Sequence, residues 1–359
     1  MSVVVRAAER SAARSGAASS GTSSSGAGAP GTDATGADAT GGSVLAAAAD
    51  DGTLVELRDD AWHVGVLPGA AGALAFARVR VDEVWRDLLR PTPPTRHHVP
   101  SACSSFPLVP WSNRVAACTL TFRGRSWRLP RTAADGTSMH GAVLPYAFGV
   151  VEASGTHVTL RFDARSVVGV GFPWRFTTTL TYALTGDGLA VTTTVANVDD
   201  EDFPAGFGHH PYLVRELVPG RGDALLELPA AGGYALTDAV ATGPAGAIPP
   251  RADFRAARAL GGRFVDDCLV AEPGRPARVV YPGARRDGGD VEVLVEHDDV
   301  YGHWVVYVPP GRSYFAVEPA THANGGFALL EAGVPGSGVH VLAPGEELTG
   351  RFALRIPAT

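Results

Sequence analysis

The sequence predicts an all-β protein built as one large antiparallel β-sandwich. Many short segments of the 359 residues alternate apolar with polar side chains and are rich in Val, Thr, Phe and Tyr, which is typical of half-buried strands. Glycine and proline turn signals separate these segments, and the chain contains 44 glycines and 27 prolines. Helical periodicity is scarce. Many closely spaced strands with such turns favour a sandwich or a barrel.

The strand segments follow one another along most of the chain. By their alternation we predict strands over residues 54–57, 75–81, 117–122, 157–162, 176–182, 189–195, 301–308 and 350–356. Residues 123–125 (RGR) and 185–188 (TGDG) lie between such segments and predict hairpin loops. Only residues 253–260 have a pattern that could form two turns of helix. We find no repeat of 20–50 residues, which argues against a propeller.

The first 50 residues differ in composition from the rest. They are mostly Ala, Ser, Gly and Thr, with Arg6, Arg10 and Arg14 near the start. Such a segment has too little bulky apolar surface to offset the entropy lost on ordering, so we predict a disordered tail over 1–50. A flexible extension without function is the plainer interpretation, and an Arg-rich targeting peptide is the alternative. The sandwich domain is predicted over 51–359.

Charge, hydropathy and cysteine content argue against several classes of protein. The formal net charge of −7 and the pI near 5.9 argue against a nucleic-acid partner, because phosphate binding needs a basic surface. No run approaches the roughly 18 apolar residues of a membrane helix, and residues 1–6 lack the features of a secretory signal. Three widely spaced cysteines indicate reduced thiols and a cytoplasmic location. The chain has no lysine, which excludes Schiff-base and phosphate-loop lysine chemistry. We expect a monomer or a weak dimer.

Two motifs about a hundred residues apart place a proton donor and a proton acceptor in strand-like surroundings. Residues 206–213 (GFGHHPYL) put His210 in a largely apolar run directly before a proline. Residues 317–322 (VEPATH) put Glu318 at the end of the apolar run 313–317, also before a proline. Because proline lacks an N–H, we expect each strand to stop there and open onto a cleft. An imidazole and a carboxylate that meet in a cleft can exchange protons near neutral pH, which points to an enzyme.

A proline-broken loop over residues 106–115 supplies candidate ligand-binding groups. Asn113 and Arg114 offer a fork of donors suited to vicinal hydroxyls. The neighbouring ring of Trp111 suits the C–H side of a pyranose. On these residues alone, a surface arginine and a core tryptophan are an equally good interpretation.

Two further positions are weaker candidates. His140 precedes a glycine, which permits close backbone approach to a ligand, although a histidine in a turn is the commoner meaning. Asp266 and Asp267 enter an apolar run, where a solvated strand end is the plainer interpretation.

Metal binding is the main alternative to acid–base catalysis as a role for the histidines. His209 and His210 are adjacent, so on an extended chain they point to opposite faces and cannot easily bind one ion. No His-x-His, Cys-x-x-Cys or helical His-Glu-x-x-His motif occurs in the sequence. We therefore expect no metal and no other cofactor.

Taken in chain order, these motifs resemble those of the aldose 1-epimerase (galactose mutarotase) family. The resemblance covers about residues 52–357 and is carried by residues 110–114 (PWSNR), 140–141 (HG), 208–212 (GHHPY), 265–266 (VD) and 317–319 (VEP). It implies a galactose mutarotase-like supersandwich that binds a free sugar in an open cleft. It also implies an isomerase of carbohydrate metabolism, which interconverts the α and β anomers of that sugar.

The resemblance also implies roles for individual residues. His210 takes the position of the general acid that protonates the ring oxygen. Glu318 takes that of the general base that removes the proton from the anomeric hydroxyl. The remaining positions correspond to groups that contact the sugar: His140 near the ring oxygen, and Asn113, Arg114 and Asp266 at the hydroxyls.

The sequence departs from the galactose mutarotases at two positions. His209 replaces their usual Asn before the acid, which leaves the acid itself intact. Asp267 stands where those enzymes have a His, which leaves the preferred sugar open.

Three alternative functions stay open. One is a non-catalytic carbohydrate-binding domain on the same fold, since a fold does not fix a function. Another is a hexose 6-phosphate mutarotase, for which Arg96 and Arg114 are the candidate phosphate ligands. The third is a polysaccharide lyase or hydrolase that uses Glu318 and Asp266 as paired carboxylates.

Overall fold

A computed structural model describes residues 5–6 and 53–357. In this part of the chain, the regular structure consists of short strands, six 3₁₀ turns and one α-helix, Gly326–Glu331 (α1). The predicted disordered tail over 1–50 lies outside the described residues, except that Val5–Arg6 pairs antiparallel with Leu54–Arg58.

The strands are numbered in chain order. The first half of the described chain contains β1 (Val5–Arg6), β2 (Leu54–Arg58), β3 (Trp62–Leu67), β4 (Ala73–Val81), β5 (Val84–Asp87), β6 (Pro107–Leu108), β7 (Arg114–Val115), β8 (Thr119–Phe122), β9 (Arg125–Arg128), β10 (Ser138–Met139), β11 (Gly149–Ala153), β12 (His157–Asp163), β13 (Phe176–Leu184) and β14 (Gly188–Asn197). The second half contains β15 (Phe203–Ala205), β16 (Gly208–His209), β17 (Tyr212–Val214), β18 (Leu225–Glu227), β19 (Ala230–Gly233), β20 (Leu236–Thr237), β21 (Val240–Ala241), β22 (Arg258–Ala259), β23 (Val265–Ala271), β24 (Ala277–Tyr281), β25 (Val291–His297), β26 (His303–Val308), β27 (Tyr314–Ala320), β28 (His340–Leu342) and β29 (Glu347–Arg355). The 3₁₀ turns are Pro68–Ala70, Pro94–Arg96, Pro100–Ala102, Ala116–Cys118, Ala164–Ser166 and Pro250–Ala252.

Three sheets contain most of these strands in the described part of the chain. A five-stranded sheet has the order β1-β2-β3-β4-β5, and a nine-stranded sheet has the order β11-β12-β13-β14-β29-β25-β24-β18-β22. The third, here called the site sheet, has the order β19-β23-β26-β27-β16-β6, and β17 also pairs with β27. The central pairings of the two larger sheets are antiparallel.

The site sheet packs face to face against the nine-stranded sheet. The ring of His209 on β16 lies 4.9 Å from the ring of Phe352 on β29, centroid to centroid. The Nε2 of His209 lies 2.6 Å from the hydroxyl of Thr193 on β14. These contacts join the two layers, so the predicted antiparallel β-sandwich is confirmed.

The alternation seen in the sequence corresponds to alternating burial. On β12, Val158, Leu160 and Phe162 are buried and alternate with side chains that are partly or fully exposed. Because successive strand residues point to opposite faces, one face of β12 contributes to the core. The predicted hairpins are also confirmed: residues 123–124 connect β8 to β9, which begins at Arg125, and residues 185–187 connect β13 to β14, which begins at Gly188.

Residues 253–260, whose pattern could form two turns of helix, do not form a helix. Instead, Pro250–Ala252 forms a 3₁₀ turn and Arg258–Ala259 forms β22, which pairs with β18 at the edge of the nine-stranded sheet. The Arg258 guanidinium also donates hydrogen bonds to the backbone carbonyls of Asp253 and Arg251. A helix of two turns is marginal by itself, so pairing with a sheet edge outweighs the local helical pattern.

Two further observations bear on the sequence predictions. Among the described residues, no helix combines the length and the apolar character needed to cross a membrane. Cys103, Cys118 and Cys268 are all buried and not disulfide-bonded.

Candidate active site

A cavity of about 180 Å³ opens at the site sheet. It contains every residue predicted for the site except Trp111, together with three residues that the sequence did not single out. Its lining consists of Asn113, Arg114, Met139, His140, His210, Tyr212, Asp266, Tyr307 and Glu318.

Glu318 lies on β27, an interior strand of the site sheet. It pairs with Val305 of β26, and the strand continues through Pro319 to Ala320. The expectation that Pro319 ends the strand is therefore wrong. In an antiparallel ladder only alternate residues use their N–H toward a given neighbour, so a proline can occupy a position where none is needed.

His210 lies at a break between two short strands. β16 ends at His209 and β17 begins at Tyr212, and both strands pair with β27. Pro211 therefore does separate two strands, as expected. The backbone N–H of His210 donates to the carbonyl of Phe106, which fixes the residue beside β6.

The folded chain brings the imidazole and the carboxyl group together. His210 Nε2 lies 3.1 Å from Glu318 Oε1. The two residues are only 6% and 2% exposed, so the contact is largely shielded from water. His210 Nδ1 and Glu318 Oε2 are buried and have no partner among the described residues. Since buried polar atoms are nearly always hydrogen-bonded, two such atoms in one cavity indicate a site for a polar ligand.

Burial changes the protonation of this pair. It raises the pKa of the Glu318 carboxyl well above its ordinary value, and the negative charge of Asp266 adds to this increase. Burial also lowers the pKa of the His210 imidazole well below its ordinary value, and the neighbouring His140 contributes less. Both shifts disfavour charge in a poorly solvated site. Both shifts therefore favour the arrangement in which a proton shared by the pair is on Glu318 and the imidazole is neutral.

Two aromatic rings pack against His210. The Phe106 ring stacks on it, with centroids 4.9 Å apart and planes 21° apart, and the Tyr212 ring is tilted by 44°. The Tyr212 ring lies 4.3 Å away, and the Arg90 guanidinium covers Tyr212 at 4.0 Å. Arg90 is itself anchored, because it donates to the carbonyls of Ala102 and Cys103. This stack restricts the orientation of the His210 ring.

His140 and Asn113 face each other across two loops. The N–H of His140 donates to the carbonyl of Asn113 at 2.9 Å. Both residues have left-handed backbone conformations, with φ of 66° and 52°. Such conformations are uncommon outside glycine and concentrate at functional sites. Burial lowers the pKa of His140 to about 3, so its imidazole is neutral.

The glycine after His140 serves the fold rather than a ligand. Gly141 has φ of 83°, and a Cβ there would lie 2.0 Å from the carbonyl oxygen of Val109. The expected close approach therefore occurs between two backbone segments of the protein itself. Only a glycine fits at this crossing.

Arg114 is held in place by neighbouring oxygen atoms. Its Nε donates to Asp135 at 2.9 Å and its Nη1 to the Asn113 side chain at 3.1 Å. Its Nη1 also lies 3.9 Å from Asp266. Two hydrogen bonds from Thr137 and one from Arg114 lower the pKa of Asp135 to about 2, so that carboxylate stays charged. Arg114 and Asp266 thus present hydrogen-bonding groups to the same cavity, where burial raises the pKa of the Asp266 carboxyl.

The two positions that depart from the galactose mutarotases lie outside the cavity. His209 is 1% exposed and bonds Thr193 between the sheets, as the alternation with His210 predicted. Asp267 is fully buried, and its two oxygens accept from Arg251 at 2.7 and 2.8 Å. Because adjacent strand residues point to opposite faces, Asp266 reaches the cavity and Asp267 does not.

Trp111 is placed differently from the expectation. It is 1% exposed and its ring packs against Phe172 and Phe327, at 6.0 and 6.3 Å. It lines a neighbouring cavity instead of the one that contains His210. The expectation that Trp111 stacks on a sugar in the His210 cavity is therefore wrong. The loop turns the indole toward the core instead.

The lining residues that the sequence did not single out are Met139, Tyr212 and Tyr307. Tyr212 could have been found, because it lies two residues after His210 and residues two apart on an extended chain share a face. Tyr307 lies opposite Asp266 in the β23–β26 register, which the sequence does not specify. Among the described residues, no three His, Cys, Asp or Glu side chains are grouped so that they could hold a metal ion.

Comparisons with known proteins agree with this architecture. A family model described as aldose 1-epimerase matches residues 76–355. The chain is 26% identical over 288 residues to the uncharacterized protein YphB of Escherichia coli K12, covering 77% of this chain and 92% of that protein. A galactose mutarotase-like protein from Clostridium acetobutylicum superposes with a TM-score of 0.74 at 18% identity, covering 86% of this chain and 96% of that one. A GalM/aldose epimerase homologue from C. elegans gives a TM-score of 0.69 at 16% identity, covering 85% and 99%.

Proposed function

Because the chain belongs to the aldose 1-epimerase family, we propose that it interconverts the α and β anomers of a free aldohexose, with His210 as acid and Glu318 as base. The observation that carries the proposal is the 3.1 Å contact between His210 Nε2 and Glu318 Oε1 in a cavity that also contains Asn113, Arg114 and Asp266. The cytoplasmic location predicted from the cysteines is part of the same proposal.

The chemistry requires an acid and a base close together. Anomerisation opens the C1–O5 bond to an aldehyde, rotates about C1–C2 and closes the ring on the other face. Opening delivers a proton to O5 while another leaves O1, and both oxygens are bonded to C1. Groups that serve them can therefore belong to one small cavity, as His210 and Glu318 do. General acid and general base catalysis each contribute roughly 10²–10⁴-fold.

The total number of protons on the pair is conserved through the cycle. With the sugar bound, His210 starts protonated and Glu318 starts ionised, a form that the positive charge of Arg114 favours by lowering the pKa of Glu318. Ring opening moves the His210 proton to O5 and the O1 proton to Glu318. The pair then carries its single proton on Glu318, the arrangement that burial favours. Closure reverses both transfers and regenerates the starting pair.

The other polar residues of the cavity bind and orient the sugar. The donors of Arg114 and Asn113 and the acceptor Asp266 suit ring hydroxyls, and the neutral His140 can hydrogen-bond near the ring oxygen. Arg114 is the only cation that lines the cavity among the described residues, and Asp135 already engages it. This charge balance favours an unphosphorylated sugar over a hexose 6-phosphate.

The test is polarimetry on freshly dissolved α-glucose and α-galactose. We expect the protein to accelerate mutarotation, and Glu318→Gln and His210→Asn each to lower the rate by at least about 10²-fold. Sugar affinity should change much less, because the lost interactions act mainly in the transition state. Matched controls are Glu152→Gln and His98→Asn, which change exposed side chains.

The outcomes separate the alternative functions. Near-normal mutarotation by Glu318→Gln contradicts the assigned base. A wild-type protein that binds free sugars in calorimetry without accelerating mutarotation is a carbohydrate-binding domain. New reducing ends released from oligosaccharides would instead indicate a hydrolase with Glu318 and Asp266 as its carboxylates.

A further inference from the structure

A second cavity, of about 470 Å³, lies directly beside the candidate active site. The two-stranded sheet of β7 and β10 runs between them, with Ser138 opposite Val115 and Met139 opposite Arg114. Arg114 lines the first cavity, Ser138 lines the second, and Met139 lines both. The Met139 side chain thus borders both cavities, and a substituent that extends from a sugar in the first cavity into the second would contact it.

The walls of this second cavity are mainly apolar. They include Trp111, Pro130, Met139, Leu144 and Pro145. Apolar walls with a few placed polar atoms are typical of small-molecule sites.

Two polar atoms of the lining residues have no partner. The indole Nε1 of Trp111 and the hydroxyl Oγ of Ser138 are buried without a hydrogen bond among the described residues. The two residues are 1% and 0% exposed. An indole N–H can only donate, whereas a hydroxyl can also accept. Two unsatisfied polar atoms around one cavity require an explanation, and a ligand with one acceptor and one donor supplies it.

Apolar walls with one N–H donor and one hydroxyl favour some sugar substituents over others. A second pyranose would bury several hydroxyls against apolar walls, and each hydroxyl without a partner is costly. An acylamido group has one carbonyl acceptor, one N–H donor and an apolar remainder. Its carbonyl matches the N–H of Trp111, its N–H matches the hydroxyl of Ser138, and its apolar part matches the walls.

We propose that this cavity is a subsite for an acylamido substituent on the aldose, so that the substrate class includes N-acylated amino sugars. The proposal rests on the proposed function for the placement of the sugar ring. It goes beyond that function by assigning a role to Trp111, Ser138 and the second cavity.

The test compares N-benzoylglucosamine and N-acetylglucosamine with glucose in the polarimetric assay. We expect KM to be at least about tenfold lower for N-benzoylglucosamine than for glucose, with N-acetylglucosamine between them. Leu144→Trp should fill the cavity and remove this preference while leaving the kinetics on glucose unchanged. Ser138→Ala should reduce the preference by about fivefold, since one hydrogen bond is lost. Val151→Trp, which enlarges an exposed side chain on β11, is the matched control.

Equal KM values for the three sugars, or a Leu144→Trp variant impaired equally on all of them, would overturn the subsite. A wild-type protein that turns over none of the sugars contradicts the proposed function instead. Calorimetric binding of N-benzoylglucosamine to the wild type and to Leu144→Trp then decides the subsite independently. Binding that Leu144→Trp abolishes supports the subsite, and binding that it leaves unchanged refutes it.

Discussion

Replacing His209 by alanine should weaken the fold and leave the chemistry intact. The imidazole is 1% exposed, its Nε2 lies 2.6 Å from the Thr193 hydroxyl, and its ring packs 4.9 Å from that of Phe352. Large-to-small core substitutions cost about 2–5 kcal/mol, and the loss of one hydrogen bond adds about 1 kcal/mol. We expect the free energy of unfolding to fall by about 3–6 kcal/mol, a large part of the total stability of a typical domain.

Urea unfolding followed by circular dichroism measures this loss, and polarimetry below the transition measures activity. Thr193→Val is the matched control, because it removes the same hydrogen bond but keeps the ring, and it should cost about 1–3 kcal/mol, since it leaves the buried His209 Nε2 unpaired. A stable His209→Ala variant with slow mutarotation would refute the reasoning, since it would place His209 in the chemistry and not between the sheets.

The same variant should change how stability depends on pH. Burial lowers the pKa of His209 to about 3, whereas an unfolded histidine titrates near 6.5. The unfolded chain therefore takes up this proton first on acidification. The stability that neutral His209 provides is fully present above about pH 6.5 and is lost as the pH falls toward 3. The stability gap between wild type and His209→Ala should narrow by up to about 1.4 kcal/mol per pH unit in that window.

Three further predictions concern the cavity. We expect kcat/KM to stay level through about pH 6.5, because the lowered pKa of His210 places uptake of a second proton below that value. Glu318, with its raised pKa, keeps the pair's single proton to a higher pH than an ordinary carboxyl. A polarimetric rate that falls as the pH is lowered through about 6.5 would contradict the lowered pKa of His210. Arg114→Ala should raise KM for free sugars by about tenfold with a smaller change in kcat, because its donors hold hydroxyls in the ground state as well; a loss confined to kcat would argue for a role in the transition state only. Treatment with a chelator should leave the rate unchanged, and activity that is lost on chelation and restored by a divalent ion would establish a metal site.

Much of the fold could be predicted because its signals are local. Alternation over 157–162, 176–182 and 189–195 predicted β12, β13 and β14, since the period of two is a property of the extended backbone. Residues 253–260 form no helix because a non-local contact outweighs their local pattern. The segment contributes β22, which pairs with β18, a strand some 30 residues earlier in the chain.

The sequence by itself determined which chemistry was available. The unusual placement of His210 and Glu318 before prolines, and the fork of Asn113 and Arg114, are visible as residue types in order. The opposite orientations of His209 and His210 also follow from the sequence, because they depend only on strand geometry.

Tertiary structure alone decided which of these groups meet. The register of β23 with β26 brings Tyr307 beside Asp266, and that of β26 with β27 fixes Glu318 in the sheet interior. The loop over residues 106–115 turns so that Trp111 lines the second cavity, whereas Asn113 and Arg114 line the first. Burial then raised the pKa of Glu318 and lowered that of His210. The sequence could not reveal these outcomes, because desolvation and charge proximity depend on residues far apart in the chain that only folding brings together.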